Sequence, residues 1–110
     1  MAKKRIPEKI KKIVRGYVER IIEEENLKVN KVAIFGSYAK GNTHKWSDID
    51  VCVVSPRFKD EFEALRFLWT RRNKREVMAG LEPVGFSAKS FREGSSLIKE
   101  IKETGVEIFI

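Results

Sequence analysis

The sequence predicts one α/β domain, an α+β arrangement in which a mixed β-sheet is flanked by helices. Its 110 residues suit a single domain, and 42% of them are apolar, which is enough to form a core. Helix-like apolar stripes alternate with short strand-like runs, a pattern typical of this fold class. Because no repeat, low-complexity tract or linker divides the chain, the domain is expected to span residues 1–110.

Three amphipathic stretches predict helices. The clearest covers about residues 7–26, ahead of a core over about 30–110, and its apolar residues recur every three or four positions. They are Ile10, Ile13, Val14, Tyr17, Val18, Ile21 and Ile22. A second helix is predicted from residue 60 to about 74, and a third is predicted from a Ser95 N-cap to Thr104. The side chains expected to face inward are Phe62, Leu65, Leu68 and Trp69 on the second helix and Leu97, Ile98 and Ile101 on the third.

Short runs of strand-forming residues predict four strands, at residues 32–35, 48–54, 81–86 and 106–110. Between the first two strands, Ser37 is a candidate N-cap for a short helix over residues 38–40. That helix is expected to end at Gly41, because glycine readily adopts the left-handed conformation that closes a helix.

The composition excludes several classes of protein and of metal site. One cysteine and one histidine exclude a disulfide framework and a Cys/His zinc site. No apolar run approaches the ~20 residues of a membrane span, and no secretory signal follows the first residues, so a cytoplasmic location is expected. The net charge of +7 is concentrated in two basic blocks, residues 1–15 and 66–75, which suggests a polyanionic partner or a phosphate-bearing ligand. Direct nucleic-acid binding is possible but not favoured.

The most informative stretch contains Gly36-Ser37, then ten residues, then Asp48-Ile49-Asp50. Asp48 and Asp50 are two positions apart on the predicted strand, so their carboxylates project from the same face of the sheet. Their repulsion is relieved by a divalent cation, and oxygen ligands without histidine or thiolate favour Mg²⁺. A Gly-Ser turn after a strand can bind the terminal phosphates of a nucleoside triphosphate. Lys40 is a further candidate for neutralising phosphate.

These residues resemble the minimal nucleotidyltransferases of the DNA polymerase β-like superfamily, which carry Gly-Ser, ten residues, then Asp-X-Asp. The resemblance implies that fold, a site with two Mg²⁺ ions, and transfer of a nucleoside monophosphate, AMP from ATP, to a hydroxyl group. It also implies a third carboxylate on a later strand, which completes the metal site and helps to deprotonate the acceptor. Glu82 is the candidate, where the superfamily often has Asp, and Glu76 is the alternative.

The same resemblance implies a partner. Small members of the family act as antitoxins to helical HEPN-domain toxins encoded beside them, so AMP transfer to a tyrosine of such a protein is expected. Two alternatives stay open: a non-catalytic antitoxin module that binds nucleotide or partner, and a small-molecule adenylyltransferase, which usually has an additional helical domain. A homodimer or hetero-oligomer is possible, with residues 66–75 and 106–110 as candidate docking surfaces.

Overall fold

The computed structural model describes residues 6–110, in which six helices surround a four-stranded sheet. Residues 1–5 of the first basic block lie outside the described residues. The helices are α1 (Glu8–Glu25), α2 (Ser37–Lys40), α3 (Glu61–Thr70), α4 (Lys74–Met78), α5 (Ala88–Glu93) and α6 (Ser96–Thr104). The strands are β1 (Lys31–Phe35), β2 (Ile49–Val54), β3 (Leu81–Phe86) and β4 (Val106–Glu107).

The sheet has the strand order β3-β2-β1-β4 and is mixed, as predicted. Strand β1 pairs antiparallel with both β2 and β4, whereas β2 and β3 run parallel. In this register Phe35 lies opposite Asp50, and Asp50 lies opposite Glu82. The ends of three strands that carry the candidate motifs therefore meet at one end of the sheet.

The larger core lies on the face of the sheet covered by α1 and α3. The predicted apolar stripe of α1 is confirmed, since Ile10, Val14, Tyr17, Val18 and Ile21 are all buried. Tyr17 joins the two helices, because its buried hydroxyl donates a hydrogen bond to the Leu68 carbonyl at 2.6 Å. A smaller core on the opposite face packs Ile98 and Ile101 of α6 against the sheet.

The helix predicted from residue 60 to about 74 is confirmed at its start, but it ends four residues early, at Thr70, and a separate short helix that was not predicted, α4, begins at Lys74. Asn73 begins α4 with a capping box: its side chain accepts from the Glu76 N–H, and the Glu76 carboxylate accepts from the Asn73 N–H, each at 2.8 Å. The inward face of α3 also differs, since Ala64 and Leu68 are buried while Phe62 is 69% exposed.

Three smaller predictions are corrected as well. Gly36, not Ser37, is the N-cap of α2, and Ser37 is the first residue of that helix. Helix α5 was not predicted; the Ser87 hydroxyl caps it by accepting from the Ser90 N–H at 3.0 Å. Leu97 is exposed, and the last strand is limited to Val106–Glu107. The Ser95 cap of α6 is confirmed by its hydrogen bond from the Ile98 N–H.

Among residues 6–110, no helix is long and apolar enough to cross a bilayer.

Candidate active site

Gly36 forms the turn at the end of β1 and lies directly against Asp50. Its φ of 73° and ψ of −146° belong to a region of backbone space that is essentially restricted to glycine. A Cβ atom at this position would collide with the Oδ2 atom of Asp50. The glycine is therefore required both by its backbone conformation and by the closeness of the carboxylate. Ser37 follows as the first residue of α2.

Three carboxylates gather beside this turn. Asp50 is half-buried in β2, with Phe35 of β1 on one side and Glu82 of β3 on the other. Asp48 is exposed and precedes β2, and Gly80 leaves room for it, since a Cβ there would lie 3.2 Å from Asp48 Oδ1. The structure thus brings Gly36, Ser37, Asp48, Asp50 and Glu82 to the same end of the sheet.

The pKa values of Asp50 and Glu82 are both raised above their ordinary values. Burial, together with the charges of Glu82, Asp48 and Glu100, raises the pKa of Asp50 to about 6. Burial and the charge of Asp48 also raise the pKa of Glu82, although the nearby Arg72 opposes this effect. Such an accumulation of negative charge is unfavourable unless a cation compensates it.

The donor set at this site fits Mg²⁺ bound together with a nucleotide. Mg²⁺ prefers carboxylate oxygens and is commonly held by one or two of them, with water and substrate phosphates completing its coordination. Among residues 6–110, no three His, Cys, Asp or Glu side chains converge into a cage for a metal ion. The arrangement therefore suits an ion that takes part of its coordination from a triphosphate rather than one held by protein alone.

Lys40 is the last residue of α2, and its ammonium group pairs with Glu100 at 3.3 Å. Glu100 belongs to α6 and contributes to the electrostatic field at Asp50. Sequence reasoning did not identify Glu100, because only the docking of α6 onto the sheet brings it near the motif. The exposed pair is weak, of the order of 0–1 kcal/mol, so Lys40 can exchange Glu100 for a phosphate at little cost.

Glu76, the alternative third carboxylate, is used elsewhere. It is 5% exposed and accepts two hydrogen bonds from the guanidinium group of Arg20, at 2.6 and 2.7 Å. A third hydrogen bond comes from the Asn73 N–H in the α4 capping box. With its oxygens engaged in this way, Glu76 joins α1 to α4 and is not among the carboxylates that surround Asp50.

Comparison with known proteins agrees with the motif. The family model described as "Nucleotidyltransferase domain" matches residues 14–108. A stretch of 44 residues is 48% identical to the putative protein adenylyltransferase MJ1215 of Methanocaldococcus jannaschii. The stretch is 40% of this chain and 49% of that protein, so the match spans about half of the curated relative.

Solved structures show the same fold. A putative nucleotidyltransferase from Sulfolobus solfataricus superposes with a TM-score of 0.64 at 17% identity, over 90% of this chain and 78% of that one. A toxin–antitoxin structure with AMP-PNP superposes with a TM-score of 0.55 at 19% identity, over 86% of this chain and 71% of that one. The family match over residues 14–108 establishes that the chain belongs to the nucleotidyltransferase domain family.

Proposed function

We propose that this chain is a Mg²⁺-dependent nucleotidyltransferase that moves AMP from ATP to a hydroxyl group of a macromolecular acceptor. The observation that carries the proposal is the meeting of an anion-binding turn with acidic side chains. Gly36 lies against Asp50, and Asp50 lies beside Glu82 on the next strand. A triphosphate bound at the turn has its α-phosphorus within reach of these carboxylates.

Each residue of the site has a proposed role in binding. Gly36 and Ser37 bind the β- and γ-phosphates, because glycine allows close approach and the start of α2 has free N–H groups. Lys40 leaves Glu100 and neutralises phosphate. Asp48 and Asp50 would hold Mg²⁺, with Glu82 as the third carboxylate of the site, and the ion would neutralise charge at the phosphates and orient them for transfer.

In the transfer step, the acceptor hydroxyl oxygen attacks the α-phosphorus of ATP. A phosphorus–oxygen bond to the acceptor forms as the bond to the oxygen bridging the α- and β-phosphates breaks, and pyrophosphate leaves. The hydroxyl proton passes to the Glu82 carboxylate, which lies beside Asp50 on the neighbouring strand.

The acceptor is proposed to be a protein. The relative from Methanocaldococcus jannaschii is named as a protein adenylyltransferase, and one structural relative is a toxin–antitoxin structure with AMP-PNP. We therefore propose a toxin partner of the HEPN class as the acceptor, with a tyrosine hydroxyl as the group modified. The reaction is proposed to occur in the cytoplasm, where ATP and Mg²⁺ are available.

The experiment compares ATP labelled at the α-phosphate with ATP labelled at the γ-phosphate. Each is incubated with the chain, Mg²⁺ and the protein encoded by the adjacent gene, and peptide mass spectrometry locates the modified residue. The α-label is expected on a partner tyrosine and the γ-label is expected in pyrophosphate. The D48N/D50N double variant is expected to transfer nothing. D60N is the matched control, because Asn also caps a helix N-terminus and Asp60 caps α3.

Three outcomes would contradict the proposal. Transfer of the γ-label to the partner would indicate a kinase. Labelling of a small alcohol or aminoglycoside, with the partner protein unmodified, would indicate a small-molecule adenylyltransferase. Tight partner binding without transfer of either label would indicate a non-catalytic antitoxin module.

A further inference from the structure

Trp69, in the last turn of α3, and Arg72, in the connection from α3 to α4, bind the backbone of β3 on either side of Glu82. The indole Nε1 of Trp69 donates a hydrogen bond to the Pro83 carbonyl at 2.9 Å. The guanidinium Nη1 of Arg72 donates to the Leu81 carbonyl, also at 2.9 Å. Residues two apart on a strand direct their carbonyls the same way. Since β3 is an edge strand of the sheet, these outward carbonyls gain side-chain partners in place of a neighbouring strand.

The two side chains also support each other. The Arg72 guanidinium lies over the Trp69 ring, 4.1 Å from its centroid, in a cation–π contact. The Nε of Arg72 donates a further hydrogen bond to the Trp69 carbonyl at 3.1 Å. We call Trp69 and Arg72 the α3 brace, because they join the end of α3 to the edge of the sheet at two points.

The α3 brace acts on the segment that carries the proposed third carboxylate. Pro83 already restricts Glu82 to an extended conformation. The two hydrogen bonds hold the carbonyls of the residues before and after Glu82, and so hold Glu82 in its position opposite Asp50 on the neighbouring strand. The positive charge of Arg72 is also close enough to lower the proton affinity of Glu82, and hence its pKa, against the effect of Asp48.

We propose that Trp69 and Arg72 are positioning residues for nucleotidyl transfer, which hold the Glu82 backbone so that its carboxylate stays in register with Asp50. This inference rests on the proposed function. Neither side chain needs to touch nucleotide or acceptor. Because catalysis depends steeply on the placement of reacting groups, a loosened Glu82 lowers the rate of the chemical step more than it lowers nucleotide affinity.

The chain offers a matched control on the same helix. Phe62 and Arg66 form another aromatic–arginine stack, with the guanidinium 5.5 Å from the ring centroid. Phe62 is 69% exposed, and within residues 6–110 neither of these side chains donates a hydrogen bond to a strand. Substitutions there remove similar contacts from α3 without affecting β3.

The experiment uses the full chain with the partner protein, ATP and Mg²⁺. The variants are W69F, which keeps an aromatic side chain and removes the N–H, R72Q, R72K, and the control F62L, which removes the Phe62–Arg66 stack. Steady-state kinetics give kcat and KM for ATP, and calorimetry gives the affinity for a non-hydrolysable ATP analogue. Hydrogen exchange followed by mass spectrometry reports on residues 81–86, and thermal unfolding reports the folded fraction of each variant.

We expect W69F and R72Q each to lower kcat by about 10- to 100-fold while analogue affinity changes less than about 2-fold. Exchange in residues 81–86 is expected to rise in both variants. R72K is expected to recover part of kcat, since lysine can still donate to the Leu81 carbonyl. The control F62L, which lies outside the basic block 66–75, is expected to match the wild type in all four measurements.

Two results would overturn the inference while leaving the proposed function intact. The first is a wild type that transfers AMP while W69F and R72Q have the same kcat as the wild type. The other is a loss of kcat that merely follows the folded fraction. By contrast, a wild type that shows no transfer overturns the proposed function, and this inference with it.

Discussion

At the scale of single residues, the candidate site depends on a glycine and three carboxylates that are individually unfavourable. Gly36 has a backbone conformation open to almost no other residue, and Asp50 is half-buried beside two further acids. When no ligand is bound, both features lower the stability of the folded protein. Their presence together at one point is what we expect of a site that binds a cation and a phosphate group.

We expect D50N to stabilise the metal-free protein at neutral pH. The pKa of Asp50 is raised to about 6 in the folded state, above that of the unfolded chain. The folded protein therefore binds the proton more tightly, and stability falls as pH rises to about 6. The full shift corresponds to about 3 kcal/mol, and solvent screening of this half-exposed group reduces the expected gain to about 1 kcal/mol.

The measurement is urea unfolding with chelator, near pH 4 and at about pH 7.5. D50N should gain stability over the wild type at the higher pH and little at the lower, where Asp50 is already protonated. The control is D60N, which is expected to show no such difference. Destabilisation of D50N at the higher pH would contradict the electrostatic account.

We expect G36A to lose nucleotide affinity by about 10-fold or more, because the added methyl group displaces the Asp50 carboxylate. Backbone strain should also cost about 1–3 kcal/mol of stability. G94A separates these effects, since Gly94 has a similar conformation, with φ 87° and ψ 165°, but open space around its Cβ position. Calorimetry with an ATP analogue should show normal affinity for G94A. Equal losses in both variants would mean that strain alone is responsible.

E82Q and E76Q should separate catalysis from structure. E82Q is expected to lower the transfer rate by about 10²–10³-fold with a smaller change in ATP affinity, because proton acceptance matters at the chemical step. E76Q is expected to reduce stability and leave kcat of the folded protein unchanged, since Glu76 is bonded to Arg20. Assays of transfer and of urea unfolding provide both quantities. A silent E82Q together with an inactive E76Q would reverse the two assignments.

At the scale of elements, apolar periodicity predicted the long helix that packs on the sheet. It did not predict helix ends and short helices that are set by local hydrogen bonds. The stripe on α1 runs from Ile10 to Ile21, about three turns, so its burial was readable from spacing. The break between α3 and α4 depends on a few hydrogen bonds at Asn73, where the Asn-x-x-Glu spacing was the available signal. Helix α5 is only six residues long, too short for an apolar stripe to reveal it.

Arg20 and Glu76 are expected to stabilise the packing of α4 against α1. R20M would leave the buried Glu76 carboxylate without its bidentate partner, which should cost about 2–4 kcal/mol. Combined with E76Q, a double-mutant cycle in urea unfolding should give a coupling of about 1–3 kcal/mol. K9M, on the exposed side of α1, is the control. Additive effects of R20M and E76Q would show that the pair contributes no coupling.

At the scale of the whole molecule, the site exists because three strands bring distant segments together. The Gly-Ser and Asp-X-Asp motifs were readable from the sequence, and the antiparallel β1–β2 pairing explains their spacing: the ten residues between them complete α2 and form the loop that leads back to the start of β2. What could not be read was the contribution of α6 and α3. Glu100 on α6 and Arg72, which follows α3, come near Asp50 and Glu82 only after these helices dock on the sheet, and no local pattern encodes that proximity.

The most direct test of the account is a crystal structure with a non-hydrolysable ATP analogue and Mn²⁺ in place of Mg²⁺. Mn²⁺ prefers the same oxygen ligands, and its anomalous scattering locates it without ambiguity. The account predicts an anomalous peak about 2 Å from carboxylate oxygens of Asp48 and Asp50, with the terminal phosphates against Gly36 and Ser37. A nucleotide bound elsewhere, or bound at the turn without a metal on these carboxylates, would contradict it.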